Sequence, residues 1–200
     1  LNLKHKKGND AMKITEEQMR GMLTKAEKAR ACFNALTEIR ELLDEGGVDA
    51  VLASKECSYW AYWYAENVLG ARWPEAEDII RTNAQAACNY AHYVIKARWP
   101  EAEDVILTDV GTACYYARYV IRNRWPEAEE VIRTNAEVAY RYAMNVIKGR
   151  WPEAEDLIRT DAWAAYKYAC YVIDARWPEA ESLILEDAEA AYGYARHFQL

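Results

Sequence analysis

Three histidines, five cysteines and a recurring Glu-x-Glu are the residues of this chain best suited to chemistry. His5, His92 and His197 are too dispersed to suggest a metal or general-base cluster. Cys32, Cys57, Cys88, Cys114 and Cys170 show none of the paired spacings that zinc sites take, and an odd number of thiols fits a reducing cytosol. Cys88 and Cys114 share a column, at a step of 26 residues, with Tyr140, Tyr166 and Tyr192, so that column reads as structural. Each Glu-x-Glu stands where a helix begins and the dipole favours carboxylates, a reason for it that needs no acid–base reaction. No Gly-rich phosphate loop, Gly-x-Ser-x-Gly or Cys-x-x-Cys occurs. The expectation is a protein without catalytic residues, metal or cofactor.

The composition narrows the partners. The 200 residues carry a net charge of −7, which argues against general affinity for nucleic-acid backbones or anionic membranes. No apolar run reaches the roughly 18 residues of a membrane span, and there is no secretory signal. A hydrophobic content of 52% is enough for a core. Fifteen Tyr and eight Trp against two Phe favour rings with a polar tip, suited to surfaces half packed and half wet.

What positions these side chains is a repeat. Arg-Trp-Pro-Glu-Ala-Glu begins at Arg72, Arg98, Arg124, Arg150 and Arg176, and a fixed step of this length marks a stacked array. Proline suits the first position of a helix, and the glutamates fall in its first turn. Ala76, Ile79 and Ile80 make a short apolar face. Asn83, Asp109, Asn135, Asp161 and Asp187 then read as caps of a second helix, with Ala84, Ala87, Tyr90, Ala91, Val94 and Ile95 as its apolar positions. The rival is one long helix per repeat, which would bury an Asn or Asp in every copy. Arg72 with Glu75 or Glu77, of the same or a neighbouring repeat, could form a ladder of ion pairs.

The expected fold is all-α, an α-solenoid of about six 26-residue two-helix repeats with an N-terminal helical cap. Residues 1–11 read as a flexible leader, with Met12 a plausible start. Residues 12–47 form the cap. Thr15 to Gln18 is a capping box, and one apolar face runs through Met22, Ala26, Ala29, Cys32, Phe33, Leu36, Ile39, Leu42 and Leu43 to a stop at Gly46-Gly47. Gly21 and Thr24 are candidate break points. Residues 48–71 are a degenerate repeat, and 72–200 hold the five full repeats, continuous with the cap.

The copies also serve as a comparison with one another. On a wheel of 100° per residue, positions 85, 89, 92 and 96 of the second helix face away from the shared apolar half. This face has no shared chemistry between copies. It carries Asn89 and His92 in the first full repeat, then Tyr115, Arg118 and Arg122, then Arg141, Met144 and Lys148. Trp163, Lys167, Cys170 and Asp174 follow, with Trp63 in the degenerate repeat. A neighbouring column holds Tyr93, Tyr119, Asn145, Tyr171 and His197. Trp, Tyr and Arg anchor interfaces, so Trp63, Asn89, His92, Tyr115, Arg118, Arg122, Arg141, Met144, Trp163 and Lys167 are the expected partner-binding residues. The same mixture of basic and aromatic residues can stack and neutralise single-stranded nucleic acid, which is the alternative partner.

The run Tyr-Ala-x-x-Val-Ile-x-x-Arg-Trp-Pro-Glu-Ala-Glu, as in Tyr90 to Glu103, resembles tandem repeats in uncharacterised proteins of tailed bacteriophages, over roughly residues 58–200. In those proteins a proline often follows the cap Asp, where this chain has Ala or Val. The resemblance implies a phage protein acting in the host bacterial cytosol. By analogy with other small acidic phage proteins, it would bind and block a host enzyme or defence complex. A virion structural or assembly role is a further alternative.

Overall fold

The structure is a computed structural model that describes residues 14–54 and 57–200. The leader expected over 1–11, the start at Met12, and His5 lie outside the described residues. Among those described, the chain is all-α, with thirteen α-helices and no strand, built as a two-helix repeat solenoid. It falls into two compact units, divided between Val94 and Ile95.

The N-terminal unit opens with helix α1 (Glu16–Lys28). Thr15 and Gln18 form the capping box, each side chain bonded to the other residue's backbone N–H. The helix runs unbroken through Gly21 and Thr24. It ends instead at Arg30, whose φ of 61° and the Ala31 N–H bond to the Ala26 carbonyl make a Schellman-type stop. Helix α2 (Phe33–Ala53) therefore starts in a new phase. Ala29, Cys32 and Phe33, expected on the apolar face, are exposed, while Leu36, Ile39 and Leu43 are buried. Gly47, at φ 67° and ψ −164°, interrupts α2 near the expected stop; helix resumes beyond it, where a repeat's first helix would stand. Helices α3 (Cys57–Tyr64), α4 (Glu77–Ile80) and α5 (Ala84–Asn89) complete this unit, with α1 packed on α2 and α3 packed on α2, α4 and α5.

The C-terminal unit stacks four repeats. The first helices are α6 (Glu103–Ile106), α8 (Pro126–Ile132), α10 (Pro152–Ile158) and α12 (Pro178–Glu186). The second helices are α7 (Val110–Tyr116), α9 (Ala136–Tyr142), α11 (Ala162–Tyr168) and α13 (Ala188–Phe198). The second helices pack on one another in sequence order, and α8, α10 and α12 each pack against the second helix before and the one after. The residue at each expected cap accepts a bond from the N–H three residues on: Asn83 from Ala86, Asp109 from Thr112, Asn135 from Val138, Asp161 from Ala164 and Asp187 from Ala190. These caps settle the two-helix reading over the single long helix.

One contact set recurs in all five full repeats. The residue before a proline is held out of the helical region, and Trp125 sits at φ −124°, ψ 89°. Its N–H is thus free of the helix, and it donates to the Tyr142 hydroxyl at 2.7 Å. That hydroxyl donates in turn to Glu129 Oε1 at 3.2 Å, and Arg124 grips the same carboxylate through Nε and Nη2, both at 2.8 Å. The arrangement repeats at Trp73/Tyr90/Glu77/Arg72, Trp99/Tyr116/Glu103/Arg98, Trp151/Tyr168/Glu155/Arg150 and Trp177/Tyr194/Glu181/Arg176. The expected ion-pair ladder is therefore Arg to the second Glu of its own repeat.

The tyrosine ring then reaches forward. Tyr116 lies on Trp125, Tyr142 on Trp151 and Tyr168 on Trp177, with centroids 5.1–5.2 Å apart; in the N-terminal unit Tyr64 lies on Trp73 at 5.3 Å. Burial pushes the Tyr142 and Tyr168 hydroxyls up to about 12, so they remain donors.

Tyr142→Phe leaves the Trp125 N–H buried without an acceptor. It should cost about 2 kcal/mol and lower the melting midpoint by roughly 4–8 °C, read by circular dichroism. The Arg hydrogen bonds hold Glu129, Glu155 and Glu181 below the usual carboxylate range. Carboxylates with depressed native values stabilise the fold fully above their unfolded value and lose that contribution as pH falls through the native one. The midpoint should therefore be flat from about pH 7 to 5 and drop below about pH 4.5. A midpoint that rises on acidification would contradict this arrangement.

Candidate docking surface

The second helices do not keep one pitch. All of them before α13 widen into a π-helical tail: Ala65–Leu69, Tyr90–Ile95, Ala117–Ile121, Ala143–Ile147 and Ala169–Ile173. The Arg122 N–H bonds five residues back to the Ala117 carbonyl at 2.8 Å, and Lys148 does the same to Ala143 at 2.7 Å. The residue that closes the tail is left-handed: Gly70 at φ 62°, then Lys96, Arg122, Lys148 and Asp174 at 55–59°.

This moves the surface that a 100° wheel draws. A wider turn takes more residues to come round, so position 92 rotates inward and position 93 outward. Cys170 is 3% exposed, and His92 and Met144 are half-buried, where all three were expected to face out. Tyr93 and Tyr171, in the neighbouring column, are exposed. Arg118 and Arg196 occupy position 92 and still reach water, because a long side chain can lay its stem on the protein and extend its head. Arg122 is not on the helix face at all; it is the left-handed stop residue, with its Nε on the Tyr119 carbonyl at 3.3 Å. Apolar burial shifts as well. Positions 86 and 88 join the core in most repeats, as Ala86 and Cys88 show, while Ala84, Val94 and Ile95 are only half-buried.

In the C-terminal unit this face gathers rings and cations. Tyr115 and Tyr119 lie 4.4 Å apart, with the Arg118 guanidinium 4.8 Å from the Tyr119 centroid. Together with Arg141 and Asn145 they line a groove between α7 and α9. Arg141 is paired with Glu137 at 2.5 Å, both half in solvent. Between α11 and α13 runs a more open groove of about 850 Å³, lined by Trp163, Tyr166, Glu189, Tyr192 and Arg196. The Lys167 ammonium lies 4.9, 4.7 and 5.4 Å from the Trp163, Tyr166 and Tyr171 rings, a cation held on an aromatic ridge.

The N-terminal unit carries side chains of the same kind on its own second helices. Trp63 is half-buried over a pocket lined by Ala31, Cys32, Ala35 and Tyr59. Asn89 accepts from Gln85 at 2.9 Å, and His92 stacks on Tyr93 at 4.3 Å. Within the C-terminal unit, Tyr115, Arg118 and Arg141 are thus brought together in one groove, and Trp163 and Lys167 beside another. The sequence reading missed Tyr192, which it placed in a structural column.

The charges are sorted too. On the second helices and tails of the C-terminal unit, Arg118, Arg122, Arg141, Lys148, Lys167 and Arg196 outnumber Glu137, Asp174 and Glu189. The first helices carry Glu101, Glu127, Glu153 and Glu179 exposed at successive copies, and their arginines are engaged by carboxylates.

Thiol chemistry finds no support in the geometry. Burial pushes Cys88 up to about 12 and Cys57, Cys114 and Cys170 to about 11, away from the thiolate. Exposed Cys32 is lowered by the Ala35 and Asn34 backbone N–H groups, but no acid, base or second thiol is seen bonded to it. Among the described residues, no three His, Cys, Asp or Glu side chains are grouped to hold a metal ion, and no helix is long and apolar enough to cross a membrane.

Fold and surface together define a helical-repeat protein whose variation is concentrated on its second helices. No family model, curated protein or solved structure matches the chain.

A left-handed backbone strains any residue with a Cβ. Lys148→Gly should therefore stabilise the protein by about 0.5–1 kcal/mol and raise the midpoint by roughly 1–4 °C, measured by thermal unfolding. A lowered midpoint would mean that the tail does not end as described.

Proposed function

We propose that this chain is a non-enzymatic binding protein that docks another protein on the second-helix face. The observation that carries the reading is the placing of its exposed rings. Tyr93 is 43% exposed, Trp163 47% and Tyr171 53%, all on second helices or their tails. The first helices, with their shared sequence, instead put Trp73, Trp99, Trp125, Trp151 and Trp177 inside. Large rings left in water next to Arg and Lys, on the side where copies differ, match the make-up of interface anchors. A row of stacked repeats offers such side chains as an extended surface.

The resemblance to phage repeats frames the natural partner as a host protein complex in the bacterial cytosol, blocked by occupation rather than by chemistry. The second reading, single-stranded nucleic acid, draws on Arg118 over Tyr119 and Lys167 over Trp163.

The two readings separate in one experiment. Tagged chain is passed over bacterial lysate with and without nuclease, and retained proteins are identified by mass spectrometry. A specific protein should be retained in both conditions. Trp163→Ala and the pair Tyr115→Ala, Arg118→Ala should each weaken it at least about tenfold, with helicity unchanged. Retention that disappears with nuclease, or falls steeply with salt, selects the nucleic-acid reading. Retention indifferent to all these substitutions removes the face from consideration.

A further inference from the structure

Each second helix of the C-terminal unit turns one flank toward the repeat that follows. Tyr166 on α11 is 8% exposed because α13 covers it; a Cβ added at Gly193 would stand 2.6 Å from its ring. One repeat on, Tyr192 occupies the same column of α13 and is 69% exposed. The small residues follow the same rule. Ala113, Ala139 and Ala165 are buried where Ala191 is half-buried, and Ala117, Ala143 and Ala169 are buried where Ala195 is half-buried. Leu185 is 59% exposed at the position where Leu107, Arg133 and Arg159 are half-buried. The Tyr194 ring meets Phe198 at 4.8 Å, where Tyr116, Tyr142 and Tyr168 each meet the next repeat's Trp.

A repeat flank that faces water normally turns polar. The flank of α13 goes the other way: it keeps the Tyr of the two preceding copies and the Ala residues, and beside it stands Leu185, as Leu107 does in the second full repeat. The α13 helix holds ordinary α geometry through Phe198. On it Ala188, Tyr192 and Ala195 fall within about 60° of one another, bordered by Glu189 and Arg196.

We infer that this flank is the contact between two copies of this chain, related by a two-fold axis beside Tyr192. The surface repeats the shape by which α7, α9 and α11 each receive a helix of the same protein. Its charges are also self-complementary. Laying α13 antiparallel on its twin, centred between Tyr192 and Gly193, sets Glu189 of one copy against Arg196 of the other, and symmetry makes that pair twice. Leu185 and Tyr192 supply the apolar centre and the alanines permit close approach. The contact shares Glu189, Tyr192 and Arg196 with the groove between α11 and α13, and association of the chain with itself, in the absence of any other protein, tests it apart from the docking reading.

Sedimentation equilibrium of the whole chain tests it. Between roughly 1 and 100 µM the mass should move from 23.1 kDa toward twice that value. Leu185→Arg, which introduces the residue that Arg133 and Arg159 provide in the two preceding copies, and Tyr192→Arg should each raise the dissociation constant at least about tenfold with unchanged helicity. Glu189→Arg should weaken association, and adding Arg196→Glu should recover it. A mass of 23.1 kDa throughout, or a dimer indifferent to Leu185→Arg and Tyr192→Arg, overturns the contact. A charge exchange without recovery overturns the two-fold pairing.

Discussion

The tyrosine that closes each repeat is the part on which the others depend. Its hydroxyl accepts the one backbone N–H that the Trp-Pro sequence keeps out of the helix, and it donates to a carboxylate already gripped by arginine. The ring meanwhile lies on the following repeat's tryptophan, as Tyr142 does on Trp151. One side chain thus ties the start of its own repeat to the end of it, and its own repeat to the next. The backbone N–H of Trp125, the Tyr142 hydroxyl and the Glu129 carboxylate are thus bonded to one another at the edge of the packed layer, where an unmet backbone N–H would be costly. This accounts for the shared spelling of Arg, Trp, Pro and Glu: each residue fills one place in the same hydrogen-bonded set.

The π-helical tails are a second constraint that acts on function. Widening the helix after the buried alanine changes which residues face water, and a left-handed stop then returns the chain to the next Arg-Trp-Pro. The stop residue is free to vary in type because what is needed is a backbone conformation. Gly70 meets it without strain, while Lys96, Arg122, Lys148 and Asp174 meet it against their intrinsic preference. The surrounding packing holds that strain, since the buried Trp on the far side fixes where the chain must go next.

Within the C-terminal unit, first and second helices have different tasks. The first helices are nearly identical, acidic on their exposed positions and internally paired. The second helices carry the differences between copies, and these are rings and cations rather than an arbitrary polar mixture. A scaffold of this kind separates the residues that hold the stack from those that can change, so a binding face can vary while the packing stays the same. The same logic underlies the pairing of copies, because a flank shaped to receive one helical repeat is suited to receive another.

Much of this was legible in the chain itself. The 26-residue step, the proline start, the Asn and Asp caps and the Thr15 capping box are local rules, and each was found where its residues stand. The pairing of Arg with a nearby Glu was legible as well, since both lie on one short turn. The tyrosine hydroxyl was not, because it bonds across 17 residues and no local pattern reports such a contact. Nor were the π tails: α and π turns are built from the same residue types, and packing against the next repeat selects between them. For that reason Cys170 and Met144 turned inward, Tyr171 outward, and Arg122 became a backbone stop. The break at Arg30, rather than at Gly21 or Thr24, is a similar case of an unfavourable conformation held by its context. The sequence by itself determined the repeat, its two helices and their caps, because those depend on neighbours a few residues apart. Only the tertiary structure decided the pitch of the second helix and hence which side chains reach water, because that choice is made by contacts between one repeat and the next.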